Sequence, residues 1–167
     1  MRSRIMTRAL CAVLAGLAFQ APAATAQQGT DTAFAALQER GRTAMGVDQY
    51  ASKHRFDDLP DGGRIELRQT APDSAGTAAI RAHLTGIARA FAAGDFTIPG
   101  VVHAGAVPGT RVMVQKQDLI DYRFRPLPGG GEIRLTTRDP EAQRALHRFL
   151  SFQRGEHRAG GTEIHTH

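Results

Sequence analysis

Cysteine is almost absent from this chain: Cys11 is the only one, and there is no tryptophan and only two tyrosines. Cys11 lies in an N-terminal stretch with the marks of a removable leader. The rest of the chain therefore has no thiol, which excludes disulfides, thiolate metal sites and a cysteine nucleophile. Serine is scarce too. Beyond residue 26 only Ser52, Ser74 and Ser151 occur, and none sits in a G-x-S-x-G turn that would expose a nucleophile. No Lys/Arg cluster interleaved with aromatics is present, so a nucleic-acid partner is not expected. After the leader no apolar run is long enough to span a bilayer.

The leader itself is legible. "MRSRIMTR" carries three arginines and no acid, "ALCAVLAGLAF" is a short apolar run, and Ala24-Thr25-Ala26 is an A-x-A cleavage signal. Residues 1–26 thus read as a secretory signal peptide, and the mature protein is expected in the periplasm or secreted. Removing Arg2, Arg4 and Arg8 lowers the formal charge from +5 to +2, with 18 basic and 16 acidic residues well mixed. About 141 residues remain, enough for one domain with a core.

What is present most conspicuously is a repeated phrase. "HRFDDLPDGGRIEL", His54 to Leu67, returns 68 residues later as "YRFRPLPGGGEIRL", Tyr122 to Leu135, with eight of fourteen positions identical. In each copy apolar and polar residues alternate on either side of a Pro/Gly turn, the pattern of a β-hairpin. Each hairpin precedes a helix. In the first unit Ile80, Leu84, Ile87 and Phe91 form one stripe before Gly94. In the second, Asp139-Pro140-Glu141 is an N-cap, a first-turn proline and an acid, and Leu146, Phe149 and Leu150 face one way up to Gly155. The expected fold is α+β: internally duplicated ββα units forming a four-stranded antiparallel sheet with two main helices on one face, plus an N-terminal helix. The boundaries read are 27–46 for an N-terminal linker and helix, with 27–30 flexible and the helix from Asp31. The duplicated domain spans 47–158, with units 47–94 and 119–158 joined by a loop at 95–118. A disordered tail covers 159–167.

Finer expectations follow. Opposite charges at Glu66 and Arg134 suggest that the inner strands pair antiparallel about those residues, so that Arg68 faces Glu132. The turn glycines of the repeat serve turns, and Asp57 and Asp58 beside them are explained by solvation. Asp95 and Asp139 lie at helix ends, where capping explains them. The loop "FTIPGVVHAGAVPGTRVMVQKQ", Phe96 to Gln117, breaks the symmetry, contains one short helix from Thr110, and is the most plausible place for a site.

Chemistry must come from histidine. Seven occur, at 54, 83, 103, 147, 157, 165 and 167, and His165 and His167 belong to the tail. His54 shares a face with Phe56, and His83 and His147 flank the apolar stripes of their helices. His103 lies in the Pro-Gly loop, ten residues before Met113, and His157 just past the last helix. Imidazole with thioether suits copper, and imidazole with carboxylate suits zinc. No H-x-H within the domain, H-E-x-x-H or paired i, i+4 histidines occur, so core-edge histidines with one hydrogen bond each, and Met113 as packing, stand beside metal ligation as an alternative.

The run "FAAGDFTIPGVVHAGAVPGTRVM" and the later "LHRFLSFQRGEHR" resemble a family of small exported bacterial proteins without an assigned activity. Its pattern is F-x-x-G-D-F, V-H, P-G, M, then H-x-F-L-x-F-Q-x-x-x-H. The matching positions are Phe91, Gly94, Asp95, Phe96, His103, Pro108, Gly109, Met113, His147, Phe149, Gln153 and His157, and the resemblance covers residues 47–158. It singles out His103, Met113, His147 and His157, to which His83 is added as a candidate metal ligand. The function expected is a non-enzymatic exported domain that binds a metal ion, copper before zinc, or a small ligand. The alternative is a periplasmic protein-interaction or stress-response module, meeting a protein partner or pairing as a homodimer through sheet edges. An enzyme with a histidine general base ranks behind both, for want of a nucleophile or an acid–base pair.

Overall fold

The computed structural model describes residues 23–162, so the expected leader lies outside the described residues except for its last four. The elements are α1 (Ala23–Met45), β1 (Ser52–Leu59), β2 (Gly62–Gln69), α2 (Ser74–Ala92), α3 (Thr97–Val102), α4 (Thr110–Gln115), β3 (Ile120–Leu127), β4 (Gly130–Thr137) and α5 (Pro140–Glu156). A 3₁₀ turn, Gln117–Leu119, leads into β3. No described helix is long and apolar enough to cross a membrane. Helix α1 begins earlier than Asp31, so residues 27–30 are helical rather than a flexible start.

The four strands form one antiparallel sheet in the order β1-β2-β4-β3, with the two hairpins meeting along β2 and β4. The apolar residues of one face, Phe56, Ile65, Leu67, Ile133 and Leu135, are buried under α2 and α5. Asp139 caps α5 as expected, its Oδ1 accepting from the backbone N–H of Glu141 at 2.9 Å and Ala142 at 2.8 Å. α5 runs through Gly155 to Glu156, one residue past the expected stop.

The inner-strand register differs from the charge-based expectation by two residues. Ile65 pairs with Ile133, which puts Glu66 opposite Glu132 and Arg64 opposite Arg134. Like charges directly opposite would destabilise the pair, but each finds its counter-ion elsewhere. Arg64 reaches Asp57 at 2.6 Å and Glu132 at 3.7 Å, Arg68 holds Glu66 at 2.6 Å, and Arg134 pairs with Asp61. What fixes the register is close approach of the backbones. An added Cβ at Gly62 would lie 2.1 Å from the Leu135 carbonyl oxygen, and one at Gly130 2.0 Å from that of Leu67. Gly62 and Gly130 are equivalent positions of the repeat, as are Leu67 and Leu135. These glycines are therefore required by the β2–β4 contact, not only by turns. The true turn glycine is Gly129, at φ 72° after Pro128, as a type II turn demands.

Each helix lies mainly across the hairpin of the other unit. α2 packs on β3 and β4, and α5 packs on β1 and β2. The crossing is fastened by matched bonds. Arg81 of α2 donates to the carbonyls of Leu127 and Gly130, each at 3.0 Å. His147 of α5 uses Nε2 to donate to those of Leu59, at 3.1 Å, and Gly62, at 2.9 Å. Leu59 and Gly62 are the repeat equivalents of Leu127 and Gly130, so both hairpin ends are clamped at the same two carbonyls.

The C-terminal segment 159–162, expected to be disordered, is paired with the free edge of β1. Phe56 N–H donates to Gly160 O at 2.9 Å and Asp58 N–H to Thr162 O at 2.7 Å. Thr162 N–H in turn donates to Asp57 Oδ1 at 2.9 Å. Asp57 and Asp58 are consequently buried, not solvated. Arg55 and Arg64 hydrogen-bond Asp57 and keep its carboxyl below the usual range against the opposing effect of burial. Residues 163–167, with His165 and His167, lie outside the described residues.

Candidate functional site

The site is assembled from residues of the first hairpin, α2, α3 and α5. α3 was not expected, because Pro99-Gly100 reads as a turn. Proline is tolerated there since it sits in the first helical turn, whose N–H groups have no intrahelical acceptor. Asp95 Oδ1 supports that turn by accepting from Thr97 N–H at 2.9 Å.

Between these elements lies an apolar cavity of about 60 Å³. Its walls include Phe56 and Ile65 from the sheet, Leu84 and Phe91 from α2, Val102 at the end of α3, and Phe149 from α5. Four histidines, His54, His83, His103 and His157, share the lining. The His54 and His157 rings stack with centroids 4.9 Å apart, and His103 meets His157 edge-on at 5.2 Å. Three of the five expected site residues thus converge, and His54 joins them.

Burial governs the protonation of all four. It lowers His54 to about 4, helped by the neighbouring His83, and lowers His83 to about 4. His157 falls to about 2, through burial first and then the neighbouring His54 and His103. Burial also lowers His103, against opposing effects from Gln153 and Glu156. All four are neutral at pH 7. His103 Nε2 lies 2.9 Å from Gln153 Oε1, which makes that nitrogen the N–H donor. Its Nδ1 is buried and makes no hydrogen bond, facing Glu156 Oε2 at 3.8 Å.

His103 and His157 have a further trait in common. Each is the C-cap of its helix, and each is followed by a non-glycine residue at positive φ: Ala104 at 52° and Arg158 at 48°. Among the described residues no other non-glycine residue has positive φ. Glycine is the usual occupant of such a position, and an L side chain there costs about 1 kcal/mol. Backbone strain therefore lies directly beside the two histidines that meet edge-on.

The remaining expected ligands are engaged elsewhere. His147 is the hairpin clamp, and Met113 is fully buried packing that does not line the cavity. Among the described residues there is no group of three or more His, Asp or Glu placed to hold a metal ion. Replacing His147 by Ala should cost about 1–2 kcal/mol in urea denaturation, the worth of a buried bond pair. Its amide spectrum at the four cavity histidines should stay unchanged. A change at those histidines would contradict the separation of clamp and cavity.

Sequence reasoning missed His54 as a site member, although its parity with Phe56 had placed it on the buried face. Comparison with protein-family models, with curated proteins and with solved structures found no match.

Proposed function

We propose that the protein is an exported, non-enzymatic binding domain that takes a small organic molecule into the histidine-lined cavity. Export rests on the N-terminal leader pattern. The observation that carries the binding reading is the apolar cavity itself, in whose lining four neutral imidazoles converge. Apolar walls with a few convergent polar groups are the ordinary make-up of a small-molecule site. The ligand is organic rather than a metal ion, because the candidate ligands are divided among cavity, clamp and core. The four imidazoles supply hydrogen bonds, being neutral at pH 7, and the Glu156 carboxylate near His103 Nδ1 is exposed and beyond hydrogen-bond distance at 3.8 Å.

The test is methyl NMR of the purified protein titrated with 1-butanol. Saturable shifts are expected at Ile65, Leu84 and Ile87, and they should vanish in Leu84→Phe, which fills the cavity. Absence of shifts at these methyls in the wild-type protein would overturn the reading.

A further inference from the structure

A second, polar cavity of about 200 Å³ lies against the first. His54 and His157 belong to the lining of both, so the stacked pair forms a shared wall. The outer chamber is lined by Gln49, Ser52, Lys53 and Arg158, and no carboxylate takes part in its lining. Arg158 is committed, holding Asp31 at 2.8 Å and lying 4.3 Å over the Phe34 ring. Lys53 is exposed, and no hydrogen bond or ion pair of its side chain occurs among the described residues.

Resting on the binding function proposed above, we infer that the ligand is a short aliphatic carboxylate. Its chain enters the apolar chamber, and its carboxylate sits in the outer one against Lys53 and the imidazole N–H groups of the His54/His157 wall. Three features of the two chambers select this class. The inner volume of about 60 Å³ is well below the ~150 Å³ of an apolar cavity that takes benzene. An aromatic ring is therefore excluded, and a chain of a few carbons fits. The outer lining carries cations only, which favours an anion over an ammonium or neutral head. The wall between the chambers is made of imidazoles, which donate to a carboxylate while presenting ring faces to the chain.

The experiment compares three probes of one length, butyrate, 1-butanol and n-butylammonium, by NMR titration of the full protein and of Lys53→Gln. Lys53 is a surface residue, so the variant should fold as the wild type does. Butyrate should bind at least tenfold more tightly than butanol, and butylammonium should bind most weakly. Lys53→Gln should reduce the butyrate preference about fivefold or more and leave butanol unchanged. Equal binding of butyrate and butanol, or a preference untouched by Lys53→Gln, would overturn the carboxylate assignment while leaving the cavity in use. If none of the three probes shifts the cavity methyls, the binding function itself fails.

Discussion

Lowering the pH from 7 to 5 is expected to remove roughly 5 kcal/mol of folding stability, through the half-buried cavity histidines. The unfolded chain binds protons at these side chains near pH 6.5. The folded protein does not until about pH 4 at His54 and His83, and about 2 at His157. Between those limits the unfolded state holds more protons, so stability rises with pH and is lost as the pH falls below 6.5. Each such histidine contributes about 1.4 kcal/mol per pH unit inside the window. Three together reach about 4 kcal/mol per unit, a large part of the 5–15 kcal/mol typical of a whole domain. Urea denaturation at pH 7, 6 and 5 should show this slope, and His83→Asn should reduce it by about one proton. A midpoint that stays constant from pH 7 to 5 would refute the neutral cluster. The lowered carboxyl of Asp57 acts in a separate window. Its contribution is present above the ordinary carboxylate range and disappears as the pH falls from about 3.8 through its folded value.

Gly62→Ala is expected to be a severely damaging small substitution, at about 3–4 kcal/mol. Two costs combine at this position. Its φ of 141° is one that L residues rarely adopt, and its Cβ would meet the Leu135 carbonyl oxygen at 2.1 Å. That oxygen is backbone of the central strand pair, so it cannot move aside without opening the β2–β4 ladder. Gly129→Ala is the control. It has φ 72°, but the nearest heavy atom an added Cβ would meet is Gln69 O at 4.0 Å. Only the conformational cost of about 1–2 kcal/mol applies there. Urea midpoints of the two variants should differ clearly, and equal midpoints would show that the glycines of the repeat serve turns alone.

That contrast also shows where the sequence misleads. Alternation around Phe56 and Ile65, and the stripe Ile80-Leu84-Ile87-Phe91, announced the hairpins and α2 because period and burial coincide there. The register did not follow from charge. Glu66 found its partner within its own strand and Arg134 at the turn of the other hairpin, and the backbone contact at Gly62 and Gly130 decided the pairing. α3 was hidden by Pro99-Gly100, since a first-turn proline and a loop proline look alike in sequence. The tail was judged by its glycines, yet Gly160 and Gly161 suit close approach: a Cβ at Gly161 would fall 1.7 Å from Phe56 O. Of the site, His83, His103 and His157 were legible as residues but not as neighbours. Nothing local says that the last turns of α3 and α5 end at the same place. His147 was chosen beside them, and its actual work, holding two carbonyls of a hairpin 85 or more positions away, is visible only in three dimensions.

The crossed placement of the helices bears on the order of folding. α2 is complete by Ala92, but the strands it mainly covers, β3 and β4, end at Thr137. During synthesis the first unit therefore carries its apolar helical stripe uncovered until nearly the whole domain has emerged. α5, which covers β1 and β2, comes last of all. Neither ββα unit has its proper lid in its own half of the chain, so the domain gains its stability late, in one concerted step. Chain segments far apart in sequence must meet before any of them is rewarded.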